Sequence, residues 1–296
     1  MGATIDGAPD LCHSAQNHQQ IGTRNKMKDF SYKLRQKLAS LIAPPPLGSQ
    51  RSADLDLPRI FFCHVPKCAG SSIVSAIWTQ IYSNPTSRRF GIELAPSLRA
   101  AEIFDITMMH ARELILAYNL SIQQNYFGNG HCYCRPHIVK AFRNDWNFVT
   151  ILRNPVDRWI SQYVFNTYKD RDWAKNELSL NEYLESPKGL DSGHIFLRYF
   201  SSVSENVPSR PSAYIDEALD NLSQFRVVGI VENLEHWSDR MDQCFDASLD
   251  IGKSNVSPKA DVSEKIRSDA KVMKRIAELC KYDLEIYRRY AEQDGA

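Results

Sequence analysis

The sequence predicts an α/β fold in which a central parallel sheet is flanked by helices. Three observations predict it. Short apolar runs rich in β-forming residues occur at 59–64 (RIFFCH), 147–152 (NFVTIL) and 225–230 (FRVVGI). Each run leads into a stretch of helical periodicity, and strands alternating with helices favour a parallel sheet covered on both faces. Two of the strand-to-helix turns also carry the residue types that anion binding needs.

In chain order, the strand at 59–64 is followed by a turn over 65–70 and a helix from Ser71 to about Tyr82. The apolar run Ile106-Thr-Met-Met-His110 reads as a further strand, and 111–121 as a helix. The strand at 147–152 precedes a helix from Pro155 to about Tyr168, since proline suits a first helical turn. Helical patterns also cover 179–186, 190–200 and 212–223. The strand at 225–230 leads into a helix from about Glu232 to Cys244, and 262–293 reads as helix throughout.

The chain has 296 residues, long enough for a domain of about 240 residues with a core that needs neither disulfides nor metals. Residues 1–25 are polar and expected to be disordered. In the next segment Met27, Phe30, Leu34, Leu38, Leu41 and Ile42 recur at helical spacing, and between Arg24 and Lys37 six basic residues face one acidic one. This predicts a basic amphipathic helix over 26–42 that docks on the main domain or makes a peripheral membrane contact. The Pro-rich stretch APPPLGSQRSADLDLP then breaks the helix. The boundary falls near Pro58, giving an N-terminal tail over 1–57 and a folded domain over 58–296.

Formal net charge is +1, so any anion-binding surface is local, and nucleic acid is not an expected partner. Seven scattered cysteines do not read as a disulfide framework and suit a reducing compartment, with a secreted protein carrying one or two bridges as the alternative. No run reaches the roughly 18 apolar residues of a membrane span, the first residues lack an apolar leader, and Asp6 stands where a myristoylation motif wants Ser or Thr. The expected location is cytoplasmic, or the Golgi lumen if the chain is a piece of a longer protein.

The first turn reads His64-Val-Pro-Lys67-Cys-Ala-Gly70-Ser71-Ser72. A helix start leaves backbone N–H groups without partners and is the positive end of the dipole. Gly70 removes a side chain where a phosphate approaches, Ser71 and Ser72 add hydroxyls, and Lys67 adds a cation, which together describe an anion cradle. Lys67 lies three residues before Gly70, unlike the ATPase loop, where lysine directly precedes the hydroxyl residue. The bland alternative is a plain turn with a surface lysine. The second turn reads Leu152-Arg153-Asn-Pro155-Val-Asp157-Arg158-Trp-Ile-Ser161-Gln-Tyr163. Arg153 ends a buried strand, where ligands gather in open α/β sheets, and Ser161 follows about two helical turns later. A guanidinium and a hydroxyl so placed can grip one phosphate. Asp157 and Arg158 read as holding the helix start.

At these turns the chain resembles the PAPS-dependent sulfotransferases, in particular the heparan and chondroitin carbohydrate group and its bacterial relatives. HVPKCAGSS is similar to their 5′-phosphosulfate loop and LRNPVDRWISQY to their 3′-phosphate motif. A weaker likeness runs through VVGIVENLEHW and YDLEIYRRY, so it spans about 58–291. The resemblance implies a P-loop-like nucleotide-binding fold with PAPS as co-substrate and PAP as product. Lys67, Cys68, Ala69, Gly70, Ser71 and Ser72 would hold the 5′-phosphosulfate, Cys68 through its backbone N–H. Arg153 and Ser161 would hold the 3′-phosphate. Gly130-His131 matches a pair that supplies a catalytic base in these relatives. Lys253-Ser-Asn255-Val-Ser257-Pro-Lys259 loosely matches a late loop, which puts Asn255 and Ser257 in the nucleotide site. The implied partner is a hydroxyl acceptor, a glycan or glycoconjugate.

In such chemistry Lys67 neutralises charge on the departing bridging oxygen, and His131 removes the acceptor proton. His110 is a rival base, though a core histidine is its plainer reading, and His64 reads as orienting backbone. His131-Cys132-Tyr-Cys134-Arg-Pro-His137 could also be drawn as a zinc knot, but seven residues rarely close a tetrahedral site, and no metal is expected. Trp159, Tyr163, Tyr168, Lys169, Arg171 and Trp173 could stack on sugar rings or pack the helix face. Arg135, His137, Lys140 and Arg143 could meet an anionic acceptor or stay solvated. Two other functions remain open: a noncatalytic nucleotide-binding protein of the same fold, and a kinase-like phosphotransferase.

Overall fold

A computed structural model of the chain describes residues 57–82, 88–204, 206–251 and 259–294. The expected helix over 26–42, the linker, and Asn255 and Ser257 lie outside the described residues. The strands are β1 (Ile60–Cys63), β2 (Arg88–Ile92), β3 (Asn125–Gly130), β4 (Asn147–Leu152) and β5 (Val227–Ile230). They form a five-stranded sheet in the order β2-β3-β1-β4-β5, with every neighbouring pair parallel. This is the predicted architecture.

Helices fill the crossovers: α1 (Gly70–Ile81), α2 (Leu94–Phe104), α3 (Met108–Leu120), α4 (Pro136–Phe142) and α5 (Pro155–Tyr168). Between β4 and β5 lie also α6 (Leu180–Glu185), α7 (Pro187–Ser192), α8 (Ile195–Phe200) and α9 (Ser212–Leu222). After β5 come α10 (Leu234–Phe245), α11 (Ala260–Ser268), α12 (Ala270–Leu279) and α13 (Lys281–Asp294). No helix among the described residues is long and apolar enough to cross a membrane.

All four residues of β1 and the last five of β4 are buried, as strands covered on both faces must be. Their apolar runs made both legible, and β4 and α5 have the predicted bounds. Four elements were not anticipated: β2, β3, α2 and α4. β3 reads NYFGNG, and its glycines and asparagines are poor strand formers. Tertiary packing overrides that preference. A Cβ on Gly128 would lie 2.2 Å from Cζ of Phe90, so the bare backbone is what lets β2 close on β3.

Three expectations are corrected. Ile106–His110 is not a strand: Thr107 caps α3, its hydroxyl accepting the His110 N–H at 3.3 Å. The pattern over 262–293 is three helices, because the Asp269 carboxylate accepts the N–H groups of Lys271 (2.9 Å) and Val272 (3.1 Å) and starts α12 afresh. The pattern over 190–200 is divided between α7 and α8, with Gly193 and His194 at the break.

Gly229 in β5 faces Trp237 of α10, a fully buried ring whose Nε1–H donates to the Thr150 carbonyl at 3.1 Å. A Cβ there would sit 2.1 Å from the indole. Gly229→Ala should therefore destabilise the domain by about 1–3 kcal/mol through overpacking. The check is a thermal melt, in which Tm falls by several degrees; an unchanged Tm would contradict this packing.

Candidate active site

Register builds the site. Cys63, the last residue of β1, pairs with Gly130 of β3 on one side and Thr150 of β4 on the other. His64 and His131 therefore leave the sheet together at its carboxyl edge, and Arg153 leaves the same edge after two further residues of β4. After β1 the chain crosses towards β2, whereas after β4 it crosses towards β5, so a crevice opens between these strand ends.

The turn after β1 is tightly wound. Lys67 (φ 68°) and Ala69 (φ 56°) are both non-glycine residues in the left-handed region. Each such residue costs on the order of 1–3 kcal/mol, strain found where a loop must present its backbone to a ligand. Successive left-handed turns can gather N–H groups into an anion-binding concavity. Ala69 is the N-cap of α1 and provides no side-chain cap. Ser71 is exposed and Ser72 half-buried at this helix start. The Cys68 N–H is directed to the Val65 carbonyl at 3.4 Å, and its thiol is buried, with a pKa raised to about 12 chiefly by that burial.

Gly70 has a different reason from the one the sequence offers. A Cβ there would lie 2.0 Å from Cδ2 of His64, so the imidazole of His64 occupies the space. That ring lies 4.1 Å, centroid to centroid, from the ring of His131. The His64 carbonyl also accepts a hydrogen bond from Nδ1 of His131 at 2.6 Å. A carbonyl can only accept, so Nδ1 carries the proton, and in the neutral ring Nε2 is left as the acceptor. It is thus the backbone carbonyl of His64 that orients the side chain of His131.

Burial sets the charge states. The pKa of His131 is lowered, first by desolvation and also by the positive charges of Arg112 and Lys67, although the bond to His64 opposes the shift. His64 is lowered to about 3, by burial first and then by His131 and Lys67. Both rings are therefore neutral at pH 7. Lys67 is lowered to about 8, first by desolvation and then by Arg153. Its Nζ lies 3.8 Å from the centroid of the half-exposed Phe165 ring, a cation–π contact.

Arg153 stands at the end of β4, and its Nη1 donates to the Lys67 carbonyl at 3.2 Å, joining the two turns directly. Two positive side chains meet here, and among the described residues neither forms an ion pair with a carboxylate. An anionic ligand fits such a place, because it restores the charge stabilisation that burial removes. Asn154 caps α5, its Oδ1 accepting the N–H groups of Val156 (3.0 Å) and Asp157 (3.4 Å). Glu232 braces the turn by accepting the Asn154 N–H at 2.9 Å. Asp157 pairs with Arg267 at 2.8 Å, and the buried Arg158 donates to the Ser192 carbonyl. Ser161 is half-buried two turns into α5.

The rival assignments separate cleanly. His110 is exposed at the start of α3 and is not a core histidine. Of the zinc-knot residues, Cys132 and Cys134 are buried together, whereas His131 is bonded to His64 and His137 is exposed beside Glu113. Among the described residues no group of three or more His, Cys, Asp or Glu side chains is arranged to hold a metal ion. Trp159 and Tyr163 are core residues, whereas Tyr168 and Trp173 stay about half exposed. Arg135 is drawn to Glu113 at 3.5 Å. The sequence offered no sign of Phe165 against Lys67, or of Arg112, whose Nη1 donates to the His131 carbonyl at 2.8 Å.

A lysine depressed to about 8 is unusually nucleophilic near neutrality. A sub-stoichiometric amine-acylating reagent at pH 8 should modify Lys67 ahead of the exposed lysines, as read by peptide mass spectrometry. Labelling spread evenly over all lysines would contradict the environment described.

Residues 55–291 match a protein-family model described as the Sulfotransferase family. No curated protein matches the chain. Among solved structures, a sulfotransferase from Alicyclobacillus acidocaldarius aligns over 78% of this chain and 98% of its own, at 16% identity and a TM-score of 0.35. The family match covers the sheet, both turns and the helices that carry them, and the chain belongs to the sulfotransferase family.

Proposed function

We propose that residues 58–296 form a PAPS-dependent sulfotransferase domain that transfers a sulfuryl group to a hydroxyl of a carbohydrate acceptor and releases PAP. The observation that carries this reading is the contact between the two turns, Arg153 Nη1 on the Lys67 carbonyl at 3.2 Å, with the oriented imidazole of His131 on the adjoining strand end. The donor supplies the activated sulfuryl group and two phosphate ends to be held. The α1 start, with Lys67, Gly70, Ser71 and Ser72, faces the 5′ end; Arg153 and Ser161 face the 3′-phosphate.

Lys67 has a defined task in this scheme. It is mostly protonated at pH 7, and a bound polyanion raises its pKa further, so a full positive charge stands by the oxygen that leaves with PAP. His131 presents Nε2 as base: the acceptor O–H proton passes to it while the acceptor oxygen forms a bond to sulfur and the bond from sulfur to the bridging oxygen breaks. Its lowered pKa keeps the acceptor lone pair available at pH 7. The half-exposed rings of Phe165, Tyr168 and Trp173 support a sugar acceptor, since such faces stack on pyranose rings.

The test is transfer of radiolabelled sulfate from PAPS to a panel of glycans. His131→Ala and Lys67→Ala should each lower turnover by about 10²-fold or more while leaving the fold intact. Near-normal turnover in a folded variant would remove that residue from its role. Donor affinity should also fall as pH rises through about 8, where Lys67 loses its proton in the free protein. Affinity that stays flat from pH 7 to 9.5 would contradict the part given to Lys67.

A further inference from the structure

We propose that Arg112 is a positioning residue for His131: its guanidinium holds the His131 backbone and keeps a buried positive charge near the imidazole. Arg112 is only 6% exposed, in the second turn of α3. Its Nη1 donates to the His131 carbonyl at 2.8 Å and approaches the Met109 sulfur at 3.9 Å, while its buried Nε has no hydrogen-bond partner. Among the described residues no carboxylate forms an ion pair with it. A buried guanidinium in this state is costly, and a stabilising core would use an apolar residue instead.

Its neighbour extends the same grip. Glu113 reaches Arg135 at 3.5 Å and His137 at 4.0 Å, so α3 clamps the 131–137 segment at both ends. On the other side Cys134 is held by its N–H to the Tyr199 carbonyl (2.9 Å) and by Asn221 on its own carbonyl (2.7 Å). The charged and titratable groups facing the imidazole are His64 from the end of β1, Lys67 from the turn beyond it, and Arg112 from α3. Lys67 is committed to the donor, and His64 is neutral. Arg112 is therefore the fixed charge that opposes protonation of His131 whether or not donor is bound.

The consequence for turnover rests on His131 being the base; the effect on its titration does not. In protein labelled at histidine, with the His131 resonance assigned through His131→Gln, NMR reads the titration directly. Wild-type His131 should titrate below the ordinary histidine value. Arg112→Met should move that titration upward and move the acidic limb of the pH–turnover profile with it, each unit costing about tenfold in the neutral fraction at pH below it. Arg112→Lys keeps the charge, so the titration stays low while turnover falls at every pH because the carbonyl is less well held. If Arg112→Met does not fold, Arg112→Gln carries the same reading with a neutral donor in place.

A wild-type His131 that titrates at or above the ordinary value would overturn the proposal, as would a folded neutral variant with an unmoved titration. The two readings fail separately. An active His131→Ala removes the base and leaves the titration linkage standing; an inactive His131→Ala with an unmoved titration in Arg112→Met removes Arg112 alone.

Discussion

The site depends on the parallel pairing of β1 with both β3 and β4. Because Cys63 is opposite Gly130 on one side and Thr150 on the other, β1 and β3 end at the same level and β4 runs only two residues further before Arg153. Side bonds lock that level: the Thr150 hydroxyl donates to the Cys63 carbonyl at 2.8 Å, and the His64 N–H donates to the Gly130 carbonyl at 3.1 Å. A slip of one residue in either pairing would turn the strand faces over and carry His131 or Arg153 out of the crevice. The four buried apolar residues of β1 make such a slip costly, so core packing and site geometry are enforced by the same contacts.

Burial then tunes what register assembles. Desolvation acts on His64, His131 and Lys67 in the same direction, disfavouring the charged form of each. For the imidazoles this yields neutral rings, one bearing a carbonyl-fixed tautomer. For Lys67 it leaves an ammonium short of stabilisation. The strained backbone at Lys67 and Ala69 belongs to the same pattern, in which local cost is carried by a rigid surrounding fold.

Much of this was legible in the residues. Apolar runs revealed β1 and β4, Pro155 marked the start of α5, and Lys67 and Arg153 stood at strand ends where ligands collect. β3 was not legible, since Asn125, Gly128, Asn129 and Gly130 are strand-poor residues kept in place by neighbours such as Phe90. His110 misled because an apolar run of four residues cannot by itself separate a strand from a capped helix start. His131 entered through a family likeness, its local pattern leaving a metal knot open; its bond to His64 spans 67 residues and leaves no mark in the sequence. Arg112 was hidden for a related reason. An arginine within an amphipathic helix reads as a solvated charge until the tertiary fold shows it buried.

The central claim is that two helix starts hold opposite ends of one nucleotide. Titration calorimetry with adenosine 3′,5′-bisphosphate and adenosine 5′-monophosphate, on the wild type and on Arg153→Ala, tests it most directly. The account predicts that the wild type prefers the bisphosphate by roughly tenfold or more, the scale of a charge-assisted hydrogen bond, and that Arg153→Ala abolishes the preference. An Arg153→Ala protein that still discriminates between the two ligands as well as the wild type would contradict it.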